Sequence, residues 1–397
     1  MSSDTQDNFD ADIAIIGGGI AGPALAAALA DSGYRIVLIE RSTRPLDTVR
    51  GDQLQPSTCE HLDRWGVLQM MIDQGAERRL GSRWQTAEGE IIVENRINEL
   101  PIPHPYFLYL NHELINEVLL KRANTNPNFT LIRPGRAQLK KNEIAPGQHG
   151  LSFEQDGTET TINARCIAIA DGRTSTSRKI LGIDADVYNY VNPLLIMFAE
   201  RIEQDPRNDL QVFLTPQGIV SAVPRTDNHV KIGFPLAPKD LNDWSRASTE
   251  ELSRRISQLV PALDGIKPEV SGVYPVAMVN AERWFDGNAV LLGDACHALH
   301  PGRSQGMNVA FSNVASLAEQ LQAADFSDRK LSIEALLSSY EAKQKPSIDM
   351  RLHENHKRGL EMDNIEATSL EITQAALADL ARDPEKLQQY CMHAAGY

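Results

Sequence analysis

Cysteine is scarce and scattered in this chain. Cys59, Cys166, Cys296 and Cys391 are the four in 397 residues, and no two of them form a C-x-x-C pair. Such spacing excludes a disulfide frame and points to buried or incidental thiols in a reducing, cytoplasmic compartment. Positive charge is short as well, and the formal net charge of -14 argues against nucleic acid and anionic membrane surfaces as partners, because both select basic patches. Met1 to Asp12 lacks the positive start and apolar core of a signal peptide. Long apolar runs are nearly missing. Ile13 to Ala30 carries no charge, but its consecutive glycines and many alanines make a poor membrane span, and Asp12 and Asp31 close it near the minimum spanning length. Internal repeats, low-complexity tracts and heptads are missing too. With 42% hydrophobic and 23% charged residues, the composition is that of an ordinary globular protein, long enough for two or three domains' worth of structure.

Against those absences stands one dense stretch, Ile13 to Glu40. Asp12-Ile-Ala-Ile-Ile is apolar after its acid, Gly17, Gly18, Gly19 and Gly22 follow, Ala24 to Ala30 favours helix, and Tyr34-Arg-Ile-Val-Leu-Ile runs into Glu40. Strand, glycine turn, helix and strand in this order form the dinucleotide-binding βαβ. Gly17 permits the tight turn, Gly19 lets backbone approach a pyrophosphate, and Gly22 lets the helix pack closely on the sheet. The diphosphate is expected on the helix N-terminus, where free N–H groups and the dipole favour negative charge. Glu40 can accept both hydroxyls of an adenosine ribose, so FAD or NAD suits this site better than NADP.

Further along, Arg41, Arg44 and Arg50 stand in a basic loop that could close over a phosphate-rich cofactor, and Arg50-Gly51 is placed where the chain turns back. Trp84 to Val93 and Pro105 to Leu110 read as strands, and Glu113 to Ala123 as a helix. Thr130 to Arg133, Ala137 to Lys140 and Leu151 to Gln155 suggest a small antiparallel meander. Thr161 to Ala170 is a buried strand ending at Asp171-Gly172. From Tyr188 to Leu236 several β runs form a second, sheet-rich unit inserted in the first, and its faces would make pocket walls. Thr249 to Leu259 is helical, Val270 to Val276 and Ala289 to Leu292 return to strands, and helices fill the chain from Gly306 onward.

Two more constellations carry chemistry. Asp171-Gly172-Arg-Thr-Ser-Thr-Ser-Arg178 follows a strand end: Ser175 can cap a helix, and Arg178 can bridge back to Asp171 or reach a phosphate. Gly293-Asp294 leads through Cys296, His297, His300 and Pro301 to Gly306-Met307-Asn308, so Asp294 can meet a polyol chain and the N–H groups of Gly306, Met307 and Asn308 an anionic ring edge. Cys296, His297 and His300 could be misread as metal ligands, but a single short cluster without a carboxylate partner predicts no metal.

Gly17-x-Gly19-x-x-Gly22, Asp171-Gly172-x-x-Ser175-x-x-Arg178 and Gly293-Asp294 through Pro301 to Gly306, taken in order, resemble the three fingerprints of the flavin-dependent aromatic hydroxylases. These are the group A monooxygenases, similar to p-hydroxybenzoate hydroxylase and the ubiquinone-pathway hydroxylases. The resemblance implies an α/β fold: a Rossmann-like FAD-binding domain (10–80, 101–182 and 277–330), an inserted sheet-rich substrate domain (81–100 and 183–276), and a C-terminal helical region (331–397). It also implies FAD held by Gly17, Gly19, Gly22 and Glu40, by Asp171 and Arg178, and by Asp294, with Arg50 and Asn111 near the flavin; Arg41, in the basic loop, is a further cofactor-binding candidate. NAD(P)H as co-substrate and O2 would hydroxylate a small aromatic substrate through a flavin C4a-hydroperoxide kept dry in its pocket. The enzyme would be a monomer or homodimer.

Three positions depart from the family pattern: Ser304 replaces a common glycine, Asn111 a frequent arginine or glutamine, and Asn313 a frequent aspartate. A second Gly-x-Gly-x-x-Gly is missing, which speaks against disulfide-reductase-like flavoproteins. Trp65, Trp84, Trp244 and Trp284 are isolated, without the paired tryptophans of flavin halogenases. Open alternatives are a halogenase or flavin-dependent reductase of the same fold, a hydroxylase fed by a partner reductase, and a flavin-binding protein that has lost catalysis. Side chains two apart on a strand share a face, so Val220 and Ala222 point together, into a pocket or away from it. The resemblance sets Val220 at a substrate-contacting position, with Pro301 capping the same cavity.

Overall fold

Near-continuous apolar runs such as Ile13–Ile16 and Ile36–Ile39 suit strands buried on both faces, the condition of a parallel sheet between helices. That is where they lie in the computed structural model, which describes residues 8–44, 52–201, 209–328, 330–363 and 367–397. The main sheet runs in the order Phe285–Asp286, Ala289–Leu291, Thr158–Ile169, Asn8–Ile16, Ile36–Ile39, Phe129–Ile132. From Ala289–Leu291 to Phe129–Ile132 the neighbours are parallel. Ile16 is in register with Ile39 and Ile169, and Ile169 with Leu291, so three strands reach their carboxyl ends beside the first. The helix Ala21–Ala28, every residue buried, crosses back from the first strand and packs against the helices His112–Ala123 and Gly306–Ala323.

Two expected elements are corrected. Thr130 to Arg133 is no part of a meander: Phe129–Ile132 pairs parallel with Ile36–Ile39 at the edge of the main sheet. The antiparallel meander is Arg136–Ala145, Gln148–Gln155 and Thr158–Ile169, joined by turns with positive φ at Gly147 and Gly157. Likewise Trp84 to Val93 is a hairpin, not one strand. Gly89, at φ 96°, turns the chain between Gly81–Thr86 and Ile91–Arg96.

Those two strands join a second, seven-stranded sheet in the order Glu269–Tyr274, Leu194–Glu200, His229–Pro235, Gly218–Pro224, Leu210–Thr215, Gly81–Thr86, Ile91–Arg96. Its two faces are dressed differently. Leu195, Met197, Phe213, Val220, Ala222 and Ile232 form a core with Leu252 and Ile256 of the helix Thr249–Leu259. On the other face Val223 meets Phe107, Tyr109, Cys391 and Ala395, while Ile219 and Trp84 cluster with Leu377 and Leu387. The C-terminal helices Ala367–Arg382 and Pro384–Ala394 therefore cover the side opposite Thr249–Leu259. The long helix Ile333–Asp363 lies along Gly306–Ala323. Among the described residues no helix is long and apolar enough to cross a membrane.

Candidate functional site

The three motifs, far apart in sequence, meet at the carboxyl ends of the parallel strands, the place where open α/β sheets bind ligands. Gly17 has φ 108°, a region side chains avoid, and a Cβ there would run into the Ala170 carbonyl beside Asp171. The first motif thus abuts the second. Arg178, 5% exposed, donates from its guanidinium to the carbonyl of Ala295 at 2.7 Å, which ties the second motif to the third. Gly293 in turn lies against Ala21, where a Cβ would come within 3.0 Å of the alanine methyl. Asp171 accepts the Ser177 N–H at 3.1 Å and Ser175 caps the helix by accepting the Arg178 N–H at 2.9 Å.

Glu40 ends the second strand with its carboxylate turned back on the glycine turn. It accepts the N–H of Gly18 at 2.5 Å and of Ser42 at 2.6 Å. The same contact explains Gly18, a glycine to which the sequence pattern assigns no role, because a Cβ on it would stand 2.8 Å from Glu40 Cβ and Cγ. Gly19 is the opposite case, because a Cβ there meets nothing within 4 Å and the loop opens onto free space. Behind the turn, the buried Asn116 of the helix His112–Ala123 donates to the carbonyls of Gly18, at 2.8 Å, and of Gly19.

From the third motif the chain passes half-buried Asp294 and buried His300 to Pro301 and Gly302, both exposed, and reaches the helix Gly306–Ala323. No side chain caps that helix, so its first N–H groups stay available for an anion. Open space lies over Gly306. Ser304 takes φ 52° where the pattern calls for glycine. The loop is fixed by two buried asparagines. Asn308 accepts from the Gln55 N–H and the Thr58 hydroxyl, both at 2.8 Å, and donates to the carbonyls of Gln53 and Ser304. Asn355 brackets His300, accepting its N–H at 2.7 Å and donating to its carbonyl at 3.1 Å. The His300 ring accepts the Gly302 N–H at 3.1 Å and packs edge-on against Tyr190. Burial pushes its pKa down to about 4.

The remaining predicted residues divide sharply. Arg41 is exposed beside Glu40, and Arg50 lies outside the described residues. Met307 is half-buried in the first turn of the Gly306 helix. Asn111 bridges to the turn after Pro224: its amide donates to Asp227 at 3.0 Å and accepts from Thr226 at 3.2 Å. Val220 and Ala222, 1% and 3% exposed, do point together, but into the core beneath Thr249–Leu259. Of the two directions open to them, this is the one away from the face that carries Val223. The alternation that groups them sends Ser221 and Val223 to the opposite face, the one shared with Phe107, Tyr109 and the C-terminal helix. Cys296, His297 and His300 diverge: Cys296 is in the main core, the His297 ring bonds Asn313, and His300 serves its own loop. Among the described residues no group of three His, Cys, Asp or Glu side chains could hold a metal ion.

Sequence reasoning also missed a buried charge cluster. Asp52 receives Lys231 Nζ at 2.9 Å and Arg225 at 3.3 Å, and accepts the His112 N–H at 3.2 Å. Arg225 reaches Asp227 as well, at 3.2 Å.

The arrangement fits a flavin dinucleotide held along its length. The open cradle at Gly19 and the Ala21 helix suit a diphosphate, Glu40 a ribose, Asp294 a polyol, and the uncapped Gly306 helix an anionic ring edge. A family model described as FAD binding domain matches residues 10–353. A ubiquinone hydroxylase from Rhodospirillum rubrum is 28% identical over 345 residues, 85% of this chain and 78% of that protein. A 6-methylpretetramide 4-monooxygenase from Streptomyces rimosus is 27% identical over 336 residues, 82% of this chain and 79% of its own length. Among solved structures, p-nitrophenol 4-monooxygenase from Pseudomonas putida superposes with a TM-score of 0.81 over 98% of both chains, at 18% identity, a likeness of fold.

Proposed function

The chain belongs to the FAD binding domain family, and from that premise we propose that it is a FAD-dependent monooxygenase that hydroxylates a small aromatic substrate with NAD(P)H and O2. The observation that carries this reading is the meeting of three separate motifs at one strand-end site, with the second sheet beside it. Bound flavin supplies the activation of oxygen; the protein's own residues bind, orient and keep water out. Gly19 and the Ala21 helix take the diphosphate, Glu40 the adenosine ribose, and Asp294 the ribityl chain. The Gly306 helix end steadies negative charge at the ring. We read residues 10–80, 101–182 and 277–330 as the cofactor domain, 81–100 and 183–276 as the substrate domain, and the rest as C-terminal helices. The substrate side of the second sheet is its Ser221 and Val223 face, closed by Phe107, Tyr109 and the helix Pro384–Ala394. That apolar wall would shield a reactive centre from water. Four buried, free thiols fit a cytoplasmic setting.

Turnover of NAD(P)H with a panel of phenols, anilines and quinolones, followed by product analysis, tests the reading. Substrate-accelerated flavin reduction and a product heavier by one oxygen atom are expected. A yellow protein that no nicotinamide reduces, yet turns over with externally reduced flavin, would favour dependence on a partner reductase. Two observations give that second reading a basis: the Asn111 amide is committed to Thr226 and Asp227, and Ser304 replaces glycine at positive φ.

A further inference from the structure

We propose that Asn116 is a positioning residue for the cofactor diphosphate, acting from behind the glycine turn. It sits in the middle of the helix His112–Ala123, 3% exposed, where that helix packs on Ala21–Ala28. Its Nδ2 donates to two successive carbonyls, Gly18 and Gly19. Both partners are acceptors, which fixes the orientation of the amide. The Oδ1 is buried without a hydrogen-bond partner. An orphaned acceptor of this kind costs free energy, and the residue keeps it in order to hold the two carbonyls.

The consequence follows from the planarity of the peptide bond. In a trans peptide the C=O and the next residue's N–H point in opposite directions. Anchoring the Gly18 and Gly19 carbonyls towards His112–Ala123 therefore turns the N–H groups of Gly19 and Ile20 the other way. The turn has room beside it, since a Cβ at Gly19 would meet nothing within 4 Å. Two donors aimed into an open cradle at a helix start are what a diphosphate needs. Glycines make this turn possible, but their freedom leaves the peptide planes undetermined. Asn116 selects one orientation.

The test compares Asn116→Leu, of similar volume without donors, with Asn116→Asp, which sets an acceptor against two carbonyls. Loss of two hydrogen bonds predicts a dissociation constant for FAD about tenfold higher in Asn116→Leu, and a larger rise in Asn116→Asp. Phosphorus NMR supplies the readout that a merely structural role would not move. Both diphosphate resonances of bound FAD should shift towards their positions in free FAD, while the flavin absorption bands keep their place. If either folded variant binds FAD as tightly as the parent with unshifted resonances, the inference is overturned. A lower melting temperature of the apoprotein with unchanged resonances overturns it too. Asn116→His, which retains a ring N–H donor, should restore most of the affinity if Asn116→Leu fails to fold. No rescue would sink the proposal. A parent protein that binds no FAD would instead defeat the family reading on which the inference rests.

Discussion

His300 links acidity to the loop that leads into the Gly306 helix. Its pKa is lowered from 6.5 to about 4, first by burial and then by the charge of His356, with Asp363 acting in the opposite direction. A folded-state value below the unfolded one means that the folded protein binds fewer protons between pH 4 and 6.5. Stability from this group is therefore complete above pH 6.5 and is lost as the pH falls through about 4. Two and a half pH units amount to roughly 3 kcal/mol at full protonation, of which about 2 kcal/mol is already gone at pH 5. The geometry localises the damage. Protonation places a hydrogen on the nitrogen that accepts the Gly302 N–H, so the turn at Pro301 loses its brace. Tyr190, whose pKa burial raises to about 12, donates to or accepts from His356 at 2.9 Å and stays neutral throughout. His300→Asn keeps an acceptor near the same place and removes the titration. Urea unfolding of both proteins from pH 4 to 7 gives the comparison, because His61, also lowered to about 4, contributes equally to each. The parent should lose about 2 kcal/mol more than the variant on going from pH 7 to 5. Parallel curves would refute the assignment of this pH dependence to His300.

Four further outcomes follow from the packing. Ala222→Phe should overpack the core beneath Thr249–Leu259 and cost about 1–3 kcal/mol, leaving NAD(P)H coupling in the folded enzyme unchanged; a leak of peroxide without loss of melting temperature would return Ala222 to the pocket. Asp52→Asn strips the carboxylate from buried Arg225 and Lys231 and should cost about 3–5 kcal/mol in denaturant titration, and a cost below about 1 kcal/mol would show that the cluster is paired by other groups. Gly18→Ala should displace Glu40 and lower FAD occupancy measured from visible absorbance, so full occupancy speaks against the ribose role. Asp294→Ala should release FAD on dilution far faster than the parent, and equal retention would remove that acid from the site.

The main sheet was legible because its strands are apolar on both faces and its turns carry glycine where backbone demands it. Gly17 and the strand ends at Ile16, Ile169 and Leu291 come out together for that reason. The second sheet was legible as strands but not as faces. Period two states that Val220 and Ala222 share a side, and says nothing about which side the helix Thr249–Leu259 takes. That helix arrives about thirty residues later, and only its packing assigns the sides. Glu88-Gly89-Glu90 carried the missing signal in the hairpin, since a glycine between two acids inside an apolar segment marks a turn more readily than a strand.

The asparagines expose a different limit. Asn116, Asn308 and Asn355 lie inside helices, where asparagine is a weak former, and all three are buried. A residue with poor helix propensity on a buried face is retained at a cost, so something must offset it. Each offers a donor and an acceptor at the end of a short, stiff arm, the same pair that a peptide group offers, and can bond loop backbone that has no ladder partner. Asn308 does so for Ser304, Asn355 for His300, and Asn116 for Gly18 and Gly19. All three loops border the strand-end site. Glycine gives those loops the conformations a large cofactor requires, and glycine cannot hold them. The holding is done by side chains distant in sequence, which pattern reading passes over because a lone asparagine resembles surface. Helical asparagine on an apolar face, within a chain rich in glycine turns, is therefore the signal that would have found these residues from sequence.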